Sequence, residues 1–432
     1  MPSGIREWWL FLYLCLIPIG WSPWPAQIQW ADVAFLGLAV SVWRARPPRR
    51  FAVHALDALI LLYLAASLAS FSKTPDLPRS GVEFVKQGSL VLVYGVFSML
   101  ASERGLAAKA LEWSATVAVV LAGLSLAALA TYAMGLPWLA PLLTIGVLPD
   151  VGEAVRIKGA LLSPGFFCNY LTMALPVLVA AVFLLPRRTV RNGLRLVLVM
   201  AAAAGTATYS VVGFLWAGLA AAWRRWGSTR TLRLARAAAA AACVGLLVIG
   251  NLLFAYAIRE VRWTADRNVD IPPSPSGYLF QEEGIGARRV TVSVSYDPVS
   301  YLRLKRVALR AFLREPLTGV GLGAFADETE RAYREGALQQ LYRRADPHCE
   351  LLGRLAETGI LGGATLLLLW WGIGRSGWLL LRRPQASAWM ASAILAGCLG
   401  LLVNSVNADI MNFRFLWVGL GLLRGQLARA PS

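Results

Sequence analysis

Apolar stretches long enough to cross a membrane recur along the whole chain, and they constrain its fold more than any other feature. A helix needs about 20 apolar residues to span a bilayer, and about twelve stretches approach that length. They lie near residues 7–21, 28–43, 51–71, 84–100, 111–134, 164–186, 194–209, 210–223, 234–257, 358–381, 387–406 and 413–427. With 57% hydrophobic residues and a mean hydropathy of +0.57, an ordinary soluble protein is excluded.

The sequence therefore predicts an all-α polytopic membrane protein with about twelve transmembrane helices, or about ten at the lower limit. The lower limit applies because several stretches are short. The two that meet at Tyr209 and Ser210 could also form a single kinked or re-entrant unit.

The basic residues indicate how the chain is oriented in the membrane. A net charge of +18 would suggest nucleic-acid binding in a soluble protein, but here the charges cluster in short loops after the even-numbered stretches. These clusters lie within residues 44–50, 104–109, 187–195, 224–236, 375–383 and 424–429. The positive-inside rule then predicts cytoplasmic N and C termini. We expect no nucleic-acid partner.

One polar segment, residues 259–357, interrupts the apolar pattern between predicted helices 9 and 10. The chain thus divides into residues 1–258 with helices 1–9, a large outer loop at 259–357, and residues 358–432 with helices 10–12. We expect all three to form one integrated domain. A polytopic membrane protein with one large polar loop usually functions there, so the candidate site is placed on the outer side.

The loop has a predicted internal structure. Residues 290–296 alternate apolar and polar side chains, which predicts a strand paired with residues 278–281. Residues 298–314 have helical periodicity, and residues 327–344 are predicted as a polar helix. Between these helices, the glycine-rich residues 318–325 predict a tight turn that lets two backbones approach.

The chain has two histidines, and they receive different interpretations. His348 lies in the outer loop, where it is the prime candidate for a general base because imidazole accepts a proton near neutral pH. The alternative for His348 is a helix cap or a packing residue. His54 lies three residues before Asp57 near the cytoplasmic side, and we interpret it as structural.

Basic side chains on the outer side indicate an anionic substrate. Arg303, Arg306 and Arg310 recur at three- or four-residue steps and share one helix face, and Arg156 and Lys158 precede the sixth apolar stretch. Arginine binds phosphate oxygens in pairs. The alternative is a solvated or headgroup-binding face at the membrane surface.

The sequence favours a mechanism without metal or cofactor. The five cysteines have no Cys/His metal spacing, and no acidic cluster that would bind Mg²⁺ occurs on the outer side. The glycines at 319–323 are not followed by the Lys of a nucleotide-binding loop.

Three segments resemble the signatures of a known family, the O-antigen ligase and polymerase superfamily. The helix with Arg303 is followed by PLTGVGLGAF (316–325), which resembles its PLxGxGxGxF signature. HCELLGRLAETG (348–359) resembles HNxxLxxLxExG, with Cys349 in place of Asn. RIKG (156–159) and NYL (169–171) resemble the basic stretch that opens the family's middle helix. The Arg that the family has at the junction of its middle helices is absent from Ser210-Val211-Val212-Gly213.

The resemblance implies a fold like that of the C-type glycosyltransferases and a role in lipopolysaccharide biosynthesis. O-antigen ligases transfer a glycan from undecaprenyl diphosphate to lipid A-core at the periplasmic face of the bacterial inner membrane. Neither metal nor cofactor is needed. By resemblance His348 activates the acceptor hydroxyl, while Arg156, Lys158 and Arg303, with Arg306 and Arg310 beside it, hold the diphosphate. The expected partners are the lipid-linked donor, the lipid A-core acceptor and membrane lipids.

Other functions remain open at this point. An O-antigen polymerase or a ligase that acts on protein belongs to the same superfamily, and the sequence hardly separates them from a lipid A-core ligase. A transporter of lipid-linked glycans is a different class, which predicts polar residues in mid-membrane on several helices. Few such residues lie well inside the apolar stretches.

Overall fold

The computed structural model describes residues 3–20, 28–45, 53–101, 103, 105–148, 152–184, 189–223, 256–264, 291–298, 300–338, 344–382 and 388–428. Its helices are α1 Ser3–Leu16, α2 Trp30–Ala45, α3 Ala55–Ala69, α4 Leu77–Ala101, α5 Leu106–Ala133, α6 Pro164–Leu184, α7 Thr189–Gly205, α8 Ser210–Trp223, α9 Ser300–Arg314, α10 Phe325–Arg334, α11 Glu350–Leu381, α12 Ala388–Asn404 and α13 Arg414–Ala428. Its strands are β1 Leu143–Leu148, β2 Gly152–Ile157, β3 Tyr256–Thr264 and β4 Thr291–Pro298.

The apolar stretches predicted within these residues coincide with helices. The stretch at 234–257 lies outside the described residues, apart from Tyr256 and Ala257, which begin β3. Among the described helices, five are long and apolar enough to cross a membrane, and they lie at Ala55–Lys73, Leu77–Ala101, Leu106–Ala133, Pro164–Val182 and Glu350–Leu381. The chain is therefore a mostly helical membrane protein. The count of twelve and the outer position of the loop stay predictions.

Helices from both sides of the long polar segment share one core. α13 lies along α4, α12 lies along α8 and α6, and α11 lies along α3. Glycines allow the close approach: a Cβ on Gly213 would lie 2.2 Å from the carbonyl oxygen of Gly400, and a Cβ on Gly425 would lie 2.5 Å from that of Ser98. Membrane helices commonly pack through such small residues.

Two β-hairpins modify the all-α prediction. β1 and β2 pair antiparallel just before α6, a hairpin that the sequence analysis did not predict. The strand predicted at 290–296 is confirmed as β4, but its partner is β3, whereas residues 278–281 lie outside the described part of the chain. The expected pairing with residues 278–281 stays a prediction, because a strand has two edges and β3 occupies one of them.

The two helices predicted in the loop are both present, but the second is shorter. α9 matches the predicted helix at 298–314. α10 ends at Arg334 rather than near residue 344, because Gly336 adopts a left-handed conformation with φ +72°. The Ala337 N–H then donates to the Ala332 carbonyl at 2.8 Å, which is the hydrogen bond of a Schellman motif.

The glycine-rich turn lets two backbones approach, as predicted. Gly319 has φ +70°, and a Cβ there would lie 2.3 Å from the carbonyl carbon of Glu357 on α11. Gly359 interrupts α11 with φ 64°, ψ −160°, and its Cβ would meet the Leu317 carbonyl oxygen at 2.3 Å. The turn is thereby pressed against α11 seven to nine residues after that helix begins, where Gly359 interrupts the helix.

Candidate functional site

His348 lies directly before α11 in an uncommon backbone conformation. Its φ of 48° is in the left-handed region, which non-glycine residues rarely adopt outside strained or functional segments. The N-cap of α11 is Cys349, so His348 is not the N-cap residue itself, and a packing role stays the alternative interpretation. The imidazole is partly buried.

The charge of Lys305, a residue of α9, reaches His348. Burial is the main cause that lowers the pKa of His348; the Lys305 ammonium lowers it further, and Asp346 opposes both. A lowered pKa keeps the imidazole neutral at neutral pH, which is the form that accepts a proton. Burial also raises the pKa of the adjacent Cys349 thiol, so Cys349 is not an activated nucleophile.

Lys305 is held in place by the segment that joins α12 and α13. Its Nζ donates to Oδ1 of Asn407 at 2.6 Å. The hydroxyl of Tyr209, at the start of α8, donates to the backbone carbonyl of the same Asn407. Burial lowers the pKa of Lys305 as well. Three distant parts of the chain, α9, the α7–α8 connection and the α12–α13 connection, therefore meet at Asn407.

A cluster of buried, hydrogen-bonded amides joins the helices next to Tyr209 and Asn407. Asn404 Nδ2 donates to Oδ1 of Asn169 at 2.6 Å and to the carbonyl of Ser210 at 3.0 Å. The Gly213 N–H donates back to Oδ1 of Asn404 at 3.1 Å. Asn404 and Asn169 are both almost fully buried, so the cluster fixes the relative positions of α6, α8 and α12. Buried polar groups satisfied in this way specify one arrangement.

A second set of contacts anchors the start of α11. Glu350 Oε1 accepts from Arg354 Nε at 2.9 Å, and its Oε2 accepts from the Met411 N–H at 3.0 Å. The Glu350 N–H donates to the Ser405 carbonyl at 2.9 Å. Burial and the nearby Glu350 carboxylate raise the pKa of Asp409. His348 is thus followed by a helical turn that is tied to the same α12–α13 segment that holds Lys305.

Arg156 and Lys158 lie at the end of β2 on the face opposite Ile157. Ile157 is fully buried and packs against Gly205, whose Cβ would lie 2.7 Å from Ile157 Cδ1. Both basic side chains are partly exposed, and within the described residues neither forms a side-chain hydrogen bond or ion pair. Gly205 ends α7, four residues before Tyr209, so this basic pair flanks the same connection that contacts Asn407.

The predicted arginine stripe and Lys305 lie on different flanks of α9. Arg303 is partly buried, whereas Arg306 and Arg310 are exposed. With about 100° between consecutive helical residues, Lys305 is about 200° around the helix from Arg303. The charge of Lys305, a residue that was not predicted, reaches His348, and the role of the arginine stripe stays a prediction. Sequence analysis missed Lys305 because it searched for repeated arginines, although Leu304, Ala308 and Ala311 already define the buried face that Lys305 borders.

His54 has the structural role that was predicted. It is the N-cap of α3, and its Nδ1 accepts the N–H of Leu56 at 3.2 Å. The His54 N–H donates to Oδ2 of Asp57 at 2.7 Å, which completes a capping box. Asp57 also accepts from Arg424 Nε at 3.0 Å and from the hydroxyl of Tyr94.

Within the described ranges, no group of three or more His, Cys, Asp or Glu residues is arranged so that it could hold a metal ion. Comparison with protein-family models and with curated proteins finds no match.

Proposed function

We propose that the chain is a glycosyltransferase that transfers an O-antigen glycan from undecaprenyl diphosphate to a sugar hydroxyl of lipid A-core at the periplasmic face of the bacterial inner membrane. The observation that carries the proposal is the backbone conformation of His348 together with the effect of the Lys305 charge on its imidazole. The imidazole is partly buried, and the backbone of His348 has a left-handed conformation. The charge of a cation on another helix acts on the imidazole. Strained backbone at a titratable residue is typical of catalytic positions.

The proposed reaction needs one base and fixed cations. The acceptor hydroxyl oxygen attacks C1 of the donor sugar, its proton passes to His348, and the bond from C1 to the diphosphate oxygen breaks. Attack opposite the leaving group inverts the anomeric centre. Negative charge grows on the departing diphosphate, and preorganised cations stabilise it without reorganising.

Arg156 and Lys158 are assigned to the diphosphate because their side chains have no partner among the described residues and flank the segment that contacts Asn407. Arg303 is retained in this role because it is partly buried on the same helix as Lys305. Arg306 and Arg310 are left out of the donor site, since both side chains are exposed whereas that of Arg303 is partly buried.

The test is transfer by purified protein in vesicles that contain the lipid-linked donor and lipid A-core. The wild-type chain is expected to form the joined glycan–lipid A product, and His348→Ala is expected to form none while it inserts normally. Unchanged transfer by His348→Ala would remove His348 from the mechanism. A longer lipid-linked glycan without a joined product would assign the chain to the polymerases instead.

A further inference from the structure

The outward face of α9 combines exposed leucines with exposed arginines. Leu302, Leu309 and Leu313 are 42%, 44% and 66% exposed. Their spacing of seven and four residues places them on one stripe of the helix, and Arg306 and Arg310 lie beside that stripe. The opposite face, with Leu304 and Ala308 at its centre, is buried in the protein.

The two arginines on this face have no side-chain partner in the part of the protein that the structure describes. Within the described residues, neither Arg306 nor Arg310 forms a hydrogen bond or an ion pair. Arg314, one turn further on, differs because its guanidinium donates to Glu328 at 2.5 Å. The surface made by the three leucines, Arg306 and Arg310 is therefore both apolar and positively charged, and we call it the α9 outer face.

The end of α9 lies beside the point at which the apolar part of α11 begins. The Ile360 N–H donates to the carbonyl of Pro316 at 2.8 Å, two residues after α9 ends. Ile360 and Leu361 are exposed apolar side chains at the start of the apolar part of α11. Exposed apolar residues of a spanning helix face lipid, so the α9 outer face begins next to the lipid boundary.

We propose that α9 is an interfacial helix whose outer face lies on anionic phospholipids, with Leu302, Leu309 and Leu313 among the upper acyl carbons and Arg306 and Arg310 on the lipid phosphates. A basic stripe beside an apolar stripe is the pattern of helices that lie in the plane of a membrane surface. Anionic lipid attracts each unpaired basic residue near the surface. The proposal does not depend on the glycosyltransferase activity.

The position of α9 is tested by spin-label accessibility. The full chain, with its native cysteines replaced by alanine, carries one label at Leu309→Cys and is reconstituted in phosphatidylcholine vesicles with phosphatidylglycerol. The label is expected to be reached by oxygen more than by a water-soluble nickel chelate. A label at Glu335→Cys, an exposed position after α10, serves as the control and is expected to show the reverse. A Leu309 label as open to nickel as the Glu335 label would overturn the proposal.

The lipid chemistry is tested with a charge variant. Replacing Arg306 and Arg310 together with alanine is expected to weaken phosphatidylglycerol binding by about fivefold for each arginine lost, measured by quenching with a brominated phosphatidylglycerol. Arg331→Ala with Arg334→Ala is the matched control, because these exposed arginines are paired with Glu328 and Glu330 on their own helix. An equal loss of phosphatidylglycerol binding in both double variants overturns the assignment. So does a loss of binding to the lipid-linked glycan donor while phosphatidylglycerol binding is unchanged.

Discussion

The two histidines of this chain have similar electrostatics and different geometry. Burial lowers the pKa of both His54 and His348, and a nearby cation lowers each further, Arg424 in one case and Lys305 in the other. His54, however, caps α3 in an ordinary extended conformation and shares a complete capping box with Asp57. His348 precedes a cap, has φ 48°, and meets a lysine brought from another helix.

The comparison shows that a depressed pKa does not by itself identify a catalytic base. Within the described residues, the hydrogen bonds of His54 start α3, and its partner Asp57 links that helix to α13 through Arg424. Around His348, the contacts instead join Lys305, whose charge reaches the imidazole, to the α7–α8 and α12–α13 connections through Asn407. The two histidines therefore differ in the residues that surround them. We expect a mutation of His54 to change stability and a mutation of His348 to change activity.

The largest expected difference is between His348→Ala and His54→Ala. Loss of a general base is expected to reduce transfer by about 10²- to 10⁴-fold, with little change in thermal unfolding. Loss of the His54 cap is expected to lower the free energy of unfolding by about 0.5–2 kcal/mol and to leave transfer intact. Transfer rates and unfolding in detergent, measured on both variants, check this. Comparable losses of transfer would end the distinction between the two sites.

Asp57→Asn is expected to act on stability alone. The Arg424 side chain is 4% exposed and is paired with Asp57 at 3.0 Å, so the substitution leaves a buried cation without its counter-charge. Breaking such a pair typically costs about 3–5 kcal/mol. Chemical unfolding of the purified variant measures the loss, and transfer per folded molecule is expected to stay at the wild-type level. A selective fall in transfer would connect the His54 region to catalysis.

Gly319→Ala and Gly336→Ala separate the packing of the glycine-rich turn from its backbone conformation. Both glycines have left-handed φ, but a Cβ on Gly336 meets nothing within 4 Å, whereas one on Gly319 strikes the backbone of α11. Each variant is expected to lose about 1–2 kcal/mol for its conformation, and Gly319→Ala about 1–3 kcal/mol more for the clash. Thermal unfolding compares them. Equal losses would mean that the close approach to α11 contributes nothing.

The smallest expected effect is a shift in pH dependence. Lys305→Met removes a cation that lowers the pKa of His348, so that pKa rises. Because the base must be neutral, the rate falls as pH drops through this pKa, and the acid limb of the pH–rate profile should move to higher pH. Lys305→Arg keeps the charge and should keep the wild-type limb. An unmoved limb in Lys305→Met would show that the two groups are not coupled during the reaction.

Periodicity and composition predicted much of the fold. The apolar stretches in the described residues became helices because a long apolar run must be buried in lipid or in other helices, whatever its neighbours. α9 was predictable from its buried stripe of Leu304, Ala308 and Ala311. The close approach of Gly319 to another backbone followed from glycine's lack of a side chain. The hairpin of β1 and β2 was missed because it is short and follows no strict alternation.

The candidate site was predictable only in part, because its members are distant in the sequence. Residue chemistry identified His348, Arg156 and Lys158 as candidates. Lys305 was missed, since its importance comes from Asn407, which is 102 residues away, and no local pattern links the two. The choice between the arginine stripe and Lys305 likewise depended on which flank of α9 the protein covers.

The sequence by itself determined that this chain is a helical membrane protein with a polar segment containing one of its two histidines, because burial of apolar surface is a local property of each stretch. The tertiary structure alone decided which cation lies beside His348, which strand pairs with β4 and which face of α9 is left uncovered. These depend on long-range packing, where the contact between two side chains is set by every helix between them rather than by either residue's own neighbours.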